Sequence, residues 1–405
     1  AIGYLAMYSN TSGAGNTGIG FQSLYSNTSG GNNNAHGYNA LSNTTTGSYN
    51  NAFGNSALYS NQSGTRNLAI GDSALYTGAN MSDNVAIGYR TMYNTSSSGS
   101  QNVALGNAAM YANLVGSSNV AIGYNALTSN YMTGNTAIGW SAMSSTTTGT
   151  GTAVGYQASG SNTTGTLNTS VGYQALGSDT TGYSNTAIGN QAMLFTTVGG
   201  ENTAIGDGAM YTNVGGYYNC AVGFNALYKV GPSGTGSSGS SNAAIGYSAL
   251  YNVTSGGANS AIGDSAGKGI TTGNNNNAFG NYAMQGVTTG NYNTAVGSLA
   301  MYNATGFASG NIAIGGLTAA GSVSPAYNIT TQNNYISMGS TAVTNAYIQV
   351  AWTVVSDARD KTNFGVVPHG LDFVTKLNPV SYQFKVSRDD ETPNGDVRYG
   401  FKAQD

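Results

Sequence analysis

Charge is what this sequence has least of. Of its 405 residues only 6% are Asp, Glu, Lys or Arg, against about a quarter in an ordinary soluble domain. The formal net charge is -3 at pH 7 and no basic patch is present, which argues against a nucleic-acid ligand. Cysteine is nearly absent too. Cys220 is the only one, so no intrachain disulfide framework exists, and it fills a slot taken elsewhere by Thr, Val or Ser. No apolar run reaches the ~20 residues of a membrane-spanning helix, and no signal peptide is visible. Membrane insertion is not expected. Low charge with abundant Gly, Ser, Thr and Asn suggests disorder, but disordered chains are also poor in hydrophobic residues. Here 40% are hydrophobic.

What is present is a repeat. The segment Asn67-Leu68-Ala69-Ile70-Gly71-Asp72-Ser73-Ala74-Leu75-Tyr76 recurs about nineteen times between Ala1 and Gly315, at a spacing of about 17 residues. A fixed period of this kind marks a solenoid or array. Ala1 already lies inside a copy, so the N-terminus and any targeting signal are expected upstream. Each unit carries two or more glycines with β-branched or polar residues between them, which disfavours helix. Two short strands per unit are expected, one around Ala-Ile-Gly and one around Ala-Leu-Tyr, with Gly and Asn at the turns. Stacked at about 4.8 Å per rung, nineteen rungs make a rod of roughly 90 Å.

Three ladders are expected to hold the stack. Isoleucine, replaced by Phe53, Leu105 or Val154, forms an apolar one. Alanine three residues after the glycine (Ala40, Ala57, Ala74) keeps the coil narrow. Asparagine four residues before it (Asn50, Asn67, Asn84) allows side-chain amides to hydrogen-bond along the axis. In Ala109-Met110-Tyr111, Ala209-Met210-Tyr211 and Ala300-Met301-Tyr302 two adjacent residues are apolar, whereas neighbours in a strand face opposite ways. One face then fills the coil and the other needs a partner, because soluble monomers do not tolerate long bare apolar stripes. Lateral association is expected, most simply of three coils around an axis.

Smaller features add little. The run Gly231 to Gly239 lengthens one turn and is expected to form a protruding loop. Aromatic residues just after the glycine (Tyr38, Tyr124, Trp140, Tyr156, Tyr173) form rows suited to packing between subunits or to sugar binding. His36 stands in an isoleucine slot and is expected to be a core histidine rather than a metal or anion ligand. No metal or cofactor is expected. Glycosidases use paired carboxylates, but the acidic residues of the array are scattered over different rungs; Asp72, Asp207 and Asp264 share only a phase. Threonine tracts drift in phase, which disfavours an ice-binding ladder.

After Gly315 the period fails, and more than half of the charged residues lie beyond Ala351. The expected division is a repeat shaft over 1–315, a β-strand neck over 316–355 and a distinct segment over 356–405, with a short helix from Leu371 to Leu377 ended by Asn378-Pro379. The last segment reads Ser356-Asp357-x-Arg359-x-Lys361, then Gly370-Leu371-Asp372-Phe373, Leu377-x-Pro379-Val380 and Tyr399-Gly400-Phe401-x-Ala403-Gln404. That succession resembles the start of the C-terminal intramolecular chaperone domain of phage tail fibres and tailspikes, the endosialidase-type self-cleaving peptidase family. The array resembles, more loosely, the head repeats of trimeric autotransporter adhesins and repeats of phage fibres.

The expected fold is all-β: the repeat gives a trimeric β-solenoid, or β-roll, followed by a short β neck, and the resemblance implies the beginning of a small α+β chaperone domain. It also implies a homotrimer, so that each chain's partners are two further copies of itself. Many members are cut between the serine and the aspartate, here Ser356 and Asp357. A serine hydroxyl needs a base and a lysine of lowered pKa can serve, which makes Lys361 the candidate, with Asp357 and Asp360 positioning the site. Family members continue into long helices beyond the equivalent of Asp405, so chaperone activity is expected of a longer chain. The function implied is a structural and adhesive fibre of a virion tail that meets a host surface glycan or protein receptor. Alternatives are a bacterial cell-surface trimeric adhesin and, less favoured, a polysaccharide-degrading tailspike.

Overall fold

A computed structural model of the chain describes residues 1–96, 99–113, 115–231, 239–304, 306–315, 329–339, 379–387 and 390–401. They form two units, 1–344 and 345–405. The first is a β-solenoid. Its main sheet has 19 parallel strands, most of three residues, beginning at Thr17–Ile19 and ending at Ile336–Met338. No helix occurs among the described residues.

Each strand alternates. In Leu68–Ile70, Leu68 and Ile70 face outward and Ala69 is completely buried, pairing in register with Ala52 and Ala86 on either side. Gly71 follows at φ +130°, and a Cβ there would lie 2.5 Å from the carbonyl oxygen of Gly88. Only glycine lets the corners nest at this pitch.

The expected second strand is absent from the Ala-Leu-Tyr segment. There the residues two and four after the glycine have left-handed backbone, as in Ser56 (φ 54°) and Leu58 (φ 52°). Inter-rung bonding survives by pointing alternately down and up: Ser56 N–H donates to Tyr38 O at 2.7 Å and Leu58 N–H to Ala74 O at 2.9 Å. Because this backbone does not alternate like a strand, Ala57 and Leu58 both enter the interior and both are fully buried. Left-handed conformation costs an L-residue about 1–2 kcal/mol, and burying a leucine or methionine side chain returns about 1.5–3 kcal/mol. Only two-residue pairs recur just beyond this segment, Ala112–Asn113 with Ser129–Asn130 and Thr212–Asn213 with Lys229–Val230.

This corrects the expectation of an unfilled Leu/Met face. Met110 and Met210 are fully buried within their own coil and Met301 is 5% exposed. The isoleucine stack is also relocated, to the outside, and His36 with it: the ring is half-buried on the outer face, 5.0 Å from that of Phe53.

The asparagine ladder is as expected. Asn67 Oδ1 accepts from Asn84 N–H (3.1 Å) and Nδ2 (3.2 Å), while Asn67 Nδ2 donates to Asn50 Oδ1 (3.0 Å) and Met81 O (2.7 Å). A second interior column, seven residues after the glycine, holds Asn61, Asn113, Asn162, Asp179 and Asn213, then turns aliphatic at Val230, Val253 and Ile270. The long turn after Val230 leaves the register intact, since Cys220 pairs with Ala243. Its tip, 232–238, lies outside the described residues. Ile336–Met338 pairs in parallel with Ile312–Ile314 and adds a rung beyond the last regular repeat.

Candidate functional site

The outer strand face is the most extended surface feature. One column, just before the glycine, runs through Ile70, Leu105, Ile188, Ile205, Ile262 and Met338, each between 38% and 51% exposed. The column two residues earlier carries Val103, Thr186, Thr203 and Ile312 in the same sheet. Neither column contains a single Asp, Glu, Lys or Arg. At ~4.8 Å per strand the 19 strands extend this strip over about 86 Å, one apolar column beside one in which Thr, Asn and Ser outnumber the aliphatic residues. Two-residue alternation in the strand was the sequence signal for it.

Two aromatic columns follow the glycine. Tyr124, Trp140, Tyr156 and Tyr173, directly after the glycine, stack at 6.0, 4.8 and 5.0 Å with planes within 14° of parallel. Faces are therefore covered by the rings above and below, and edges meet solvent. This row offers little open face for a sugar ring. A second column, five after the glycine, includes Tyr59, Tyr76, Tyr93 and Tyr111, stacked at 5.0 to 5.4 Å and half-buried. Burial, reinforced by the neighbouring phenols, pushes Tyr76 above the usual tyrosine range.

The acidic residues that share a phase do not converge. Asp207 and Asp264 stand three rungs apart, about 14 Å, beyond the ~9.5 Å that paired glycosidase carboxylates span. Their oxygens are engaged locally: Asp72 accepts from Asn55 N–H, Asp207 from Asn190 Nδ2 and Asp264 from Ser265 Oγ. One of the scattered acids has a setting that the sequence did not disclose. Asp179 is fully buried in the second interior column, accepting from Gly182 N–H at 2.8 Å and Asn168 Nδ2 at 3.2 Å. Burial pushes its carboxyl up to about 7, against the opposing effect of the Gly182 and Thr180 backbone N–H groups. Among the described residues no three His, Cys, Asp or Glu gather as a metal site.

The processing candidates Ser356, Asp357, Asp360 and Lys361 lie outside the described residues, as does the segment Leu371 to Leu377. What is described of the second unit is an antiparallel hairpin, Pro379–Ser387 with Asp390–Phe401, pairing Val380 with Gly400 and Tyr382 with Arg398. No curated protein and no solved structure matches the chain. Residues 356–405 do match one family model, that of the chaperone of endosialidase, so the C-terminal segment is similar to that self-cleaving chaperone domain while the solenoid stands on its own geometry.

Proposed function

We propose that the chain forms the shaft of a homotrimeric attachment fibre of the phage tail type, structural rather than enzymatic in its body and matured through its C-terminal chaperone segment. The observation that carries this reading is the uncharged, half-exposed outer face of the sheet, with its Ile- and Val-rich column just before the glycine. Three solenoids arranged around a common axis would each turn that strip inward and leave polar loops outside. The chaperone-like segment at 356–405 supports it independently, because the family it resembles implies a chaperone that brings three chains together. In this scheme Ser356 and Lys361 carry out a single cut before Asp357, releasing the chaperone once the shaft has formed.

Ile188→Lys with Ile205→Lys tests the assembly. Both positions are on the outer face, so a monomer keeps its fold while a trimer must bury six ammonium groups; sedimentation should show loss of the assembly with the β-rich circular dichroism retained. An unchanged assembly would contradict the proposed interface. Processing is tested by mapping the C-terminus of the shaft made with the full natural chain. A product ending at Ser356, lost in Ser356→Ala, is expected, and a chain that stays whole would remove the self-cleavage step.

A further inference from the structure

The second tyrosine column is interrupted at Ser42, again at Lys268 and Gln285, and for longest between Tyr111 and Tyr211. After Tyr111 the same position carries Thr128, Ser144, Gly160, Gly177 and Leu194 before the rings resume at Tyr211, Tyr228 and Tyr251, stacked at 4.8 and 4.9 Å. The missing rings leave a groove of about 340 Å³, within the ~300–1,000 Å³ of typical ligand sites. Gly160 and Gly177 form its floor and Leu194 closes one end. Three rung steps separate Ser144 from Leu194, about 14 Å. Along the walls stand Ser145, Ser161 and Ser178 on one side and Gln157 and Gln174 on the other. The amides are held in a row: Gln174 Nε2 donates to Gln157 Oε1 at 3.0 Å, and Gln191 Nε2 to Gln174 Oε1 at 3.3 Å.

We propose that this groove binds a neutral oligosaccharide. Serine hydroxyls and glutamine amides each donate and accept, which matches a ligand whose own groups are hydroxyls. No Asp, Glu, Lys or Arg lines the groove, so a charged ligand would lose hydration without gaining a charged partner. Leu194 is its one large apolar side chain; the aromatic or aliphatic pocket on which protein contacts centre is missing. Equivalent serines stand on three successive rungs, Ser145, Ser161 and Ser178, before Phe195 takes the position, so a chain of hydroxylated units meets the same groups at each of three steps. None of the lining residues belongs to the outer strand face, so binding here does not compete with assembly. As the saccharide contact of an attachment fibre, the site rests on the reading above.

Gly160→Tyr is the decisive variant. It sets the side chain that the same position carries at Tyr93 and Tyr111 in the middle of the gap, three rungs from Tyr111 and three from Tyr211, with its Cβ 3.1 Å from Gln157 O, and so fills the groove from the outer surface. A second variant, Ser161→Ala with Ser178→Ala, removes two hydroxyls and leaves the shape. The whole chain is applied to an array of neutral and acidic oligosaccharides, and its native mass is measured alongside. Binding of a neutral glycan is expected, weakened at least tenfold by Gly160→Tyr and several-fold by the serine pair, with the mass unchanged. Absence of neutral binders, equal binding by Gly160→Tyr, or capture of acidic glycans alone would overturn the site. A monomeric mass with groove binding intact would count against the fibre reading and not against the groove.

Discussion

At the scale of single residues, the interior is defined by a few slots that each accept a narrow set of side chains. Asp179 is the exception that makes a prediction. It stands where Asn162 and Asn213 stand in other rungs, and burial holds its carboxyl at about 7. Between pH ~4 and 7 the unfolded chain has released this proton and the native chain retains it. Stability therefore falls as pH rises through that window, by up to about 1.4 kcal/mol per unit. Asp179→Asn should remove the fall and leave the shaft more stable at pH 8; denaturation midpoints at pH 4 to 8 for both proteins check it. An identical slope in the variant would show that Asp179 does not titrate as described.

Residues also show where sequence reasoning succeeds and where it stops. Asn67 was legible because an amide at constant phase in a stacked fold has one obvious use, and its bonds to Asn50 and Asn84 run as expected. Leu58 and Met110 were misplaced because nothing in a leucine or methionine announces left-handed backbone, and without it alternation sends them outward. The sequence held one clue, glycine at Gly267 in the slot of Leu58 and at Gly208 in the slot of Ser56, both at positive φ. Asp179 was hidden within a Ser/Thr/Asn tract of variable length. The groove was invisible because it consists of rings that are missing.

At the scale of the element, the rung is held by polar ladders as much as by apolar ones. An asparagine side chain here bonds the rung below, the rung above and the glycine-rich arc of the next turn. Asn67→Ala leaves one or two buried groups unpaired at about 1–3 kcal/mol each, so a loss of about 2–4 kcal/mol is expected in the unfolding free energy of the solenoid. A change below about 0.5 kcal/mol would mean that the ladder is decoration and that alanine packing alone sets the stack. The +7 column behaves differently along the chain. It is polar up to Asn213, save at Gly78 where the buried Met81 side chain fills the space, and aliphatic from Val230 onward, so the C-terminal rungs have the drier interior.

At the scale of the whole molecule, each solenoid fills its own interior yet leaves one sheet face without charge. A single coil is thus internally complete and externally unfinished. Placing the apolar strip outside, rather than the Leu/Met slot, changes which residues form the proposed contact between copies, and it leaves the aromatic columns and the serine-lined groove on other surfaces of the rung. The most direct test is the mass of the purified native assembly by light scattering at low micromolar concentration. Three times the 41.0 kDa of one chain, less any segment removed after Ser356, is the predicted result; a stable, soluble particle of one chain's mass would contradict the account.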